Sequence, residues 1–218
     1  MLDLLVPRRC LLCARPGEQV CVSCRRSLPR VQPPLCARCG APTSWPVARC
    51  RECAGQRLAF VSARSVLVYD QGARVLVRAW KERGLRRLDS VCAELVAEAV
   101  PRPQAQVLTY VPADTDRQLE RGHHPAERLA RELGRRWGLP VLSLLCRTGP
   151  RRRQAGLGLG ERRANARDAF LARPSSGAAV CLVDDVYTSG STADAASRAL
   201  RRAGAEQVEV IALARAVR

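Results

Sequence analysis

Two adjacent carboxylates and a hydroxyl-rich turn form the stretch of this chain whose residue types could do chemistry. The apolar residues 180–183 lead into Asp184 and Asp185, and residues 188–192 then read Thr-Ser-Gly-Ser-Thr. Backbone N–H groups at the start of a helix lack intrahelical partners and attract anions, and a glycine permits tight backbone curvature. The spacing therefore predicts a phosphate site built by Thr188, Ser189, Gly190, Ser191 and Thr192.

The acidic pair narrows the choice of phosphate compound. Two carboxylates would repel a phosphate unless they bind something else, and the two hydroxyls of a ribose diol can each donate to a carboxylate. The pattern therefore favours a ribose 5-phosphate, with its diol on Asp184 and Asp185. The alternative is an ordinary strand-to-helix turn, but it does not explain why a buried strand ends in two carboxylates, which are costly to bury without a partner. The stretch resembles the phosphoribosyl diphosphate signature of type I phosphoribosyltransferases, and it is not a P-loop because the Gly-Lys-Ser/Thr element is missing.

The elements that must position this stretch follow from hydrophobic spacing. Residues 179–183 predict a strand and residues 193–203 a helix that ends at Gly204. Further strands are predicted at 58–69, 106–111, 141–145 and 208–214, and further helices at 73–83, 88–100 and 125–137. Strands that alternate with helices in this way indicate an α/β fold, a parallel sheet flanked by helices.

A second loop is expected beside the acidic pair. Ligands of open α/β sheets lie at the carboxyl ends of the strands, and residues 113–121 follow the predicted strand 106–111. Arg117 and Arg121 are the candidates in this loop for binding the diphosphate end of the ligand, and a solvated polar loop is the alternative. His123 and His124 come next and are predicted to lie on the surface at the entry to a helix, with a role as ligands or bases as the alternative.

Charge favours anionic partners. The chain has 218 residues with 37 basic and 20 acidic side chains, a formal net charge of +17. This balance favours phosphates, nucleotides and nucleic acid. Lys81 is the only lysine among these basic residues, which suggests a local need for an ammonium group, and it joins the candidates for the diphosphate.

Eight of the eleven cysteines lie before residue 54, as four Cys-x-x-Cys pairs. Two such pairs can complete a tetrahedron of thiolates around one metal ion, and short loops favour pairing in sequence order. The predicted ligands are Cys10, Cys13, Cys21 and Cys24 for one site, and Cys36, Cys39, Cys50 and Cys53 for the other. Zinc is the expected metal; disulfides and an iron–sulfur cluster are the alternatives, and disulfides are disfavoured because no secretion signal is recognised.

These cysteines define a small first domain. Residues 1–58 have few large apolar side chains and need metal-bound cysteines for stability. Residues 59–218 are predicted to form the α/β domain. The zinc domain is expected to be structural, or alternatively to contact nucleic acid or protein. No apolar run is long enough for a bilayer, so no membrane insertion and a cytoplasmic location are expected.

A basic, glycine-rich segment interrupts the second half of the chain. Residues 146–167 carry seven arginines and have no useful hydrophobic period. Such a segment is typical of a lid that excludes water from a reactive sugar diphosphate, or of an arm that binds nucleic acid.

The chain as a whole resembles the ComF family. The resemblance rests on the four cysteine pairs, the acidic signature and several shorter motifs, namely residues 80–84, 110–112 and 121–122, with Arg147, Gln154, Arg163, Asn165 and Phe170. The family pattern commonly reads Arg-Gly-aromatic-Asn-Gln-Ala, whereas residues 121–126 here read Arg-Gly-His-His-Pro-Ala, so a role of the missing Asn and Gln does not carry over.

The resemblance implies a double zinc ribbon joined to a type I phosphoribosyltransferase-like domain. It further implies a link to DNA uptake or utilisation in competence, where other competence proteins would be partners, but no defined reaction. The first hypothesis is an enzyme that binds phosphoribosyl diphosphate with Mg²⁺ and has Asp184 and Asp185 as its catalytic, diol-binding residues. A phosphoribosyltransferase is the favoured activity. The alternative is a non-catalytic factor that binds single-stranded DNA and keeps the sugar-phosphate site as a sensor or remnant.

Overall fold

The computed structural model describes residues 8–82, 84–113, 124–148 and 169–217. Within these ranges the chain forms five helices and six strands. In chain order they are α1 (Val22–Ser27), β1 (Ser62–Val68), α2 (Gln71–Glu82), α3 (Arg87–Ala99), β2 (Val107–Tyr110), α4 (Pro125–Trp137), β3 (Leu145–Arg147), β4 (Phe170–Ala172), β5 (Ala179–Tyr187), α5 (Ser191–Arg202) and β6 (Gln207–Arg215).

Four strands form a parallel sheet in the order β1-β6-β5-β2. Side chains of a strand point alternately to the two faces. In β5, Cys181 and Val183 accordingly face one hydrophobic cluster, and Val180 and Leu182 face the other. Both faces of the sheet are therefore buried, as parallel sheets require.

Helices cover both faces of the sheet. The apolar sides of α2, α3 and α4 pack on one face, and α5 packs on the other. The expected α/β fold of a parallel sheet flanked by helices is confirmed. Strands β3 and β4 form a separate antiparallel pair beside it.

The cysteine-rich segment packs against this sheet on both sides. Val20 and Leu28 join the cluster on the α2–α4 face, whereas Cys36, Cys39 and Cys53 join the cluster on the α5 face. The segment between them runs along the outer edge of β1, where the amide of Val31 donates to Val66 O at 2.8 Å and the amide of Val68 donates to Pro29 O at 2.9 Å. The division of the chain at residue 58 stays a prediction.

Most predicted elements differ from their predicted bounds by one to four residues, among them β5, α5 and β3. β5 continues to Tyr187, four residues past the predicted end, because it stays paired with β6 up to Arg215. α5 begins at Ser191, two residues early. Val141 forms only an isolated bridge to Leu108, and the strand predicted there begins at Leu145. No helix in the described ranges is long and apolar enough to cross a bilayer.

Candidate functional site

Asp184 and Asp185 lie near the end of β5, at the carboxyl edge of the sheet. Strand alternation directs them to opposite faces, Asp185 to the side of α2 and Asp184 to the side of α5. The ammonium of Lys81, in the last turn of α2, lies 2.6 Å from Asp185 Oδ2. The sole lysine of the chain is thus placed at the acidic pair, and its role toward a diphosphate stays a prediction.

The position of α2 depends on a buried polar contact. Trp80 is completely buried, and its indole N–H donates to Asp89 Oδ1 on α3 at 2.7 Å. Arg128 of α4 donates to the other oxygen of Asp89 at 3.0 Å. One carboxylate therefore joins three helices, and the residue after Trp80 is directed toward β5.

Asp184 has an environment that favours its neutral form. Burial, and secondarily the charge of Asp185, raises the pKa of Asp184 from its ordinary 3.8 to about 7, against the opposing effects of the Asp185 amide, Lys81 and Arg147. Its Oδ1 accepts a hydrogen bond from the Asp185 amide at 2.8 Å. Asp184 can therefore change protonation near neutral pH.

Arg147 at the end of β3 is the further cation of this region. Its guanidinium lies 4.7 Å from the ring centroid of Phe170, and its Nη2 donates to Pro112 O at 3.4 Å. Pro112 follows β2, so Arg147 bridges the end of β2 to the antiparallel pair β3–β4. The sequence named Arg147 in a basic segment and in the ComF resemblance but gave it no role beside Asp184, because its proximity to Asp184 arises only from the tertiary fold.

The hydroxyl turn leads from β5 directly into α5. Gly190 is the N-cap residue and has φ +75°, a conformation that side chains disfavour. A Cβ at Gly190 would also lie 2.7 Å from Cζ of Tyr187 and closer still to its hydroxyl oxygen. The hydroxyls of Ser189 and Ser191 lie 2.8 Å apart. The turn is therefore a strand-to-helix connection whose first helical amides point outward.

A cavity of about 360 Å³ opens at this turn. Its lining comes from the turn, the first half of α5 and the end of the cysteine-rich segment: Gly55, Gln56, Arg57, Leu58, Ser189, Gly190, Ser191, Asp194, Ala195 and Arg198. Asp194 of α5 joins the helix to the end of the cysteine-rich segment, since it accepts a hydrogen bond from the Ala59 amide at 2.7 Å. It also accepts one from Arg198 on the same helix at 3.0 Å. Asp184 and Asp185 are not among the residues that line this cavity.

The eight cysteines form two clusters, paired in sequence order as expected. In each cluster the four sulfur atoms lie within 4.8 Å of one another. A tetrahedral zinc with Zn–S bonds of about 2.3 Å places sulfurs roughly 3.8 Å apart, and Cys13–Cys21, Cys36–Cys53 and Cys39–Cys50 lie at 3.7, 3.6 and 3.5 Å. These two sets of four thiols fit zinc in both donor type and geometry.

Backbone amides prepare one thiol in each cluster for metal binding. The amide of Cys50 donates to Cys36 Sγ at 3.3 Å, and the amide of Cys21 donates to Cys10 Sγ at 3.5 Å. Burial opposes ionisation, but such N–H groups outweigh it and lower the pKa of Cys36 and of Cys10 to about 6. A thiolate is the form that binds zinc.

Several predicted residues lie outside the described ranges. These are Arg117, Arg121, His123 and most of the basic segment 146–167, of which Cys146, Arg147 and Thr148 are described. His124 is buried at the N-cap of α4, with Nε2 2.7 Å from the Ala113 amide. This contact joins the end of β2 to the start of α4 and supports the predicted helix-entry role.

Comparison with known proteins gives relatives over almost the whole chain. Residues 1–54 match the family model described as a double zinc ribbon domain. The chain is 28% identical to Competence protein F of Haemophilus influenzae over 209 residues, covering 90% of each chain. It is also 28% identical to competence protein ComFC of Bacillus subtilis, covering 90% of this chain and 83% of that one. A DNA utilization protein, YhgH of Salmonella typhi, is 28% identical over 97% of this chain and 99% of that one.

The resemblance to the ComF family is confirmed. Solved structures with a part similar to this ComF-like chain include a purine phosphoribosyltransferase of Pyrococcus horikoshii, 18% identical over 62% of this chain and 73% of that one, with a TM-score of 0.34. An orotate phosphoribosyltransferase of Aeropyrum pernix is 20% identical over 68% and 67%, with a TM-score of 0.36. At these values the similarity concerns the arrangement of sheet and helices alone.

Proposed function

We propose that this ComF-like chain binds phosphoribosyl diphosphate and acts as a phosphoribosyltransferase in the utilisation of DNA taken up by the cell. The observation that carries the proposal is the connection from β5 to α5. Two carboxylates are followed within seven residues by a hydroxyl-lined turn, a left-handed glycine and a helix N-terminus. The amides and hydroxyls suit a 5-phosphate, and the carboxylates suit a ribose diol.

The remaining charges have roles around the diphosphate. Lys81, which forms an ion pair with Asp185, would also contact a diphosphate oxygen in this proposal. Arg117 and Arg121 remain the proposed diphosphate ligands of the loop after β2. A nucleophile would form a bond to the anomeric carbon while the bond from that carbon to the diphosphate breaks, and these cations would stabilise the charge on the leaving group.

Mg²⁺ fits this arrangement as a companion of the diphosphate. In the described ranges no group of three or more carboxylates and histidines is placed to hold a cation by itself. Magnesium keeps several waters and is commonly bound through substrate phosphates with one or two carboxylates. When bound it would neutralise charge on the leaving diphosphate.

The biological setting is proposed from the relatives. The names of the three relatives refer to competence and to DNA utilisation. A chain of formal net charge +17 is suited to contact with nucleic acid or its degradation products. Other competence proteins are the partners we propose, with the double zinc ribbon as the structural part that presents the α/β unit to them.

Calorimetric titration tests the ligand. Phosphoribosyl diphosphate is titrated with and without Mg²⁺ into the native chain, Asp184→Asn, Asp185→Asn and the double variant. Exposed Glu206 supplies a control, Glu206→Gln, which changes charge by the same amount away from the site. We expect binding that Mg²⁺ strengthens, a loss of tenfold or more in each Asp variant, corresponding to about 1.4 kcal/mol, and no change in the control. Unchanged binding in the double variant would refute the site.

A second candidate function is binding of single-stranded DNA without turnover. A second cavity of about 450 Å³ adjoins the first, because Leu58 and Arg198 line both. Together the two cavities form a groove between the cysteine-rich segment and α5 that is lined by five arginines: Arg38, Arg57, Arg198, Arg201 and Arg202. Aromatic residues are only 4% of the chain, so the binding would depend on phosphate contacts more than on base stacking.

Salt dependence tests this candidate. Anisotropy of a labelled oligothymidine is measured at several salt concentrations for the native chain and for Arg201→Gln/Arg202→Gln. Arg135→Gln/Arg136→Gln on α4 is the control, since it removes the same charge from another surface. DNA binding through the groove requires a salt slope that falls by about 0.7 for each arginine removed there, with a smaller change in the control. Equal slopes in both variants would exclude the groove as the DNA site.

A further inference from the structure

Arg215, the last residue of β6, connects the second cysteine cluster to the hydroxyl turn. Its side chain is 1% exposed, and it lies beside Tyr187, the last residue of β5, in the parallel register. We propose that Arg215 and Tyr187 are positioning residues that make phosphate binding at residues 188–192 depend on zinc in the second cluster. The inference rests on the proposed phosphate-binding function of that turn and extends it to its control by the metal.

On the side of the metal cluster, the guanidinium joins both cysteine pairs. Nη1 donates to the carbonyl oxygen of Cys39 at 2.6 Å, and Nη2 donates to Glu52 Oε2 at 2.5 Å. Cys39 closes the pair that begins at Cys36, and Glu52 lies inside the pair formed by Cys50 and Cys53. Zinc held by the four thiolates would fix the spacing of these same two pairs. The partners of Arg215 are therefore ordered when the metal is bound and loosened when it is removed.

On the side of the turn, the guanidinium contacts the ring of Tyr187. Arg215 Cζ lies 4.8 Å from the ring centroid, within the range of a cation–π contact. Phe60 packs edge-on against the same ring at 6.3 Å between centroids. The phenol end of Tyr187 fills the space that a Cβ of Gly190 would occupy. A displacement of Tyr187 therefore removes the side chain that packs against Gly190 and supports the backbone at the start of α5.

The first cluster contacts the α/β unit differently. Arg25 of α1, which follows Cys24 directly, donates to Glu94 of α3 at 2.5 Å and also pairs with Glu98 of α3. These contacts lie on the face covered by α2–α4, opposite α5. Removal of Arg25 therefore loosens the first cluster from the sheet without touching Tyr187, and Arg25→Met serves as the matched control.

The coupling must be reciprocal. If zinc in the second cluster raises the affinity of the turn for a phosphate ligand, the ligand must raise the zinc affinity of that cluster by the same factor. Couplings between sites in proteins commonly amount to roughly 5- to 150-fold. Reciprocity also holds for coupling through global unfolding, so a positioning role is separated from simple loss of stability by comparing local exchange at the turn among the variants.

The experiment uses the full zinc-loaded chain and three variants. Arg215→Met/Glu52→Gln removes the guanidinium without leaving Glu52 as an unpaired charge, Tyr187→Phe keeps the ring and removes the hydroxyl beside Gly190, and Arg25→Met is the control. Amide hydrogen exchange by mass spectrometry is followed over the turn and the start of α5. Zinc affinity is measured by competition with a chromophoric chelator, with and without saturating ribose 5-phosphate, and ribose 5-phosphate affinity is measured by calorimetry.

The expected results differ among the variants. In Arg215→Met/Glu52→Gln, exchange at the turn should rise, and ribose 5-phosphate affinity and second-cluster zinc affinity should both fall by about fivefold or more. In Tyr187→Phe, exchange at the turn should rise while zinc affinity in the absence of ligand stays at the native value. In Arg25→Met, exchange at the turn and ligand affinity should equal those of the native chain.

Two results would overturn the proposal. One is native exchange at the turn in both Tyr187→Phe and the Arg215 variant. The other is an equal rise of exchange at the turn in Arg25→Met, which would mean general loosening. If the Arg215 variant does not fold, exchange at the turn in Tyr187→Phe alone decides between the two outcomes. If the native chain does not bind ribose 5-phosphate, the proposed function fails, whereas the exchange measurements still decide whether Arg215 and Tyr187 couple the cluster to the turn.

Discussion

Asp184 is the residue of the site whose charge depends most on pH. It is half-buried beside Asp185, and burial raises its pKa to about 7. A ribose diol donates hydrogen bonds to a carboxylate, so the ionised form of Asp184 is the one that binds it. The pH at which the ligand binds therefore follows from where β5 places this single side chain.

The first prediction concerns this pKa. Ligand affinity should increase as the pH rises through about 7, and Asp184→Asn should bind weakly with no such increase. Because the native state raises the pKa, it binds the proton more tightly than the unfolded state does. Native stability should hence fall as the pH rises from about 4 to 7, by at most about 1.4 kcal/mol per pH unit for one proton.

Calorimetry and urea unfolding across this pH range measure both effects. Glu206→Gln is the control and should keep the native pH dependence of affinity and of stability. A pH profile in Asp184→Asn that matches the native profile would assign the titration to another group.

Gly190 supports a second prediction at the same scale. Both Gly190 and Gly177 have positive φ, +75° and +76°, but only Gly190 is in contact with a side chain, whereas a Cβ at Gly177 would meet nothing within 4 Å. Gly177→Ala should cost only the conformational penalty, about 1 kcal/mol. Gly190→Ala should cost more than that and should abolish phosphate binding, because Tyr187 must move. Equal free energies of unfolding in the two variants would contradict the close contact.

At the scale of elements, α2 positions the only lysine. Trp80 fixes the end of this helix through Asp89, and Lys81 then reaches Asp185. The third prediction is that Trp80→Phe lowers the free energy of unfolding by about 1–3 kcal/mol, since a buried carboxylate loses a donor. Trp45→Phe is the control, because Trp45 is 68% exposed, and it should have no effect beyond a few tenths of a kcal/mol.

Lys81 provides a second measurement for the same variants. Reductive methylation keeps the charge of a lysine, and because Lys81 is the only lysine, its side chain gives a single lysine signal by NMR. That signal should shift in Trp80→Phe toward its position in Asp185→Asn, where the ion pair is absent. An unshifted signal in Trp80→Phe would mean that α2 holds Lys81 without the indole contact.

The elements could be predicted where their hydrophobic spacing is regular. Leu129, Leu133 and Trp137 predicted α4, and the structure has that helix at Pro125–Trp137. The end of β5 could not be predicted, because polar Asp184 and Asp185 interrupt the apolar run, and only pairing with β6 keeps the strand extended to Tyr187. Local residue preference carries no information about such pairing.

The residues proposed for the site were likewise found where their pattern is local. The acidic pair, the turn and the two cysteine sets are short-range patterns with a chemical reason for their spacing. Arg215 could not be found in this way, since it is 176 residues from its partner Cys39 and has no motif around it. Only the packing of the second cluster on the α5 face brings these two residues together.

At the scale of the whole molecule, the two metal clusters contribute unequally to the core. Cys36 of the second metal cluster is fully buried in the hydrophobic core formed with β5, β6 and α5, whereas Cys13 of the first metal cluster is exposed. The fourth prediction is that Cys36→Ser lowers the thermal midpoint of the whole chain, while Cys13→Ser mainly releases the first zinc. Structural zinc contributes directly to folding.

Scanning calorimetry and zinc analysis measure this difference. Cys146→Ser is the control, since Cys146 is exposed and lies outside both clusters, and it should leave the midpoint and the zinc content unchanged. Equal midpoints for Cys13→Ser and Cys36→Ser would mean that the two clusters support the sheet to the same extent.

The strip of chain along the outer edge of β1 has a consequence for how this protein can be divided. Residues 29–31 occupy the hydrogen-bonding rim that β1 would otherwise offer to water or to another chain. A fragment starting at residue 59 would expose the edge strand β1 together with the apolar surface under the second cluster. Exposed edge strands pair with other chains and promote aggregation. The cysteine-rich segment therefore covers the edge of the α/β unit, and a truncated chain has to retain this segment to stay soluble.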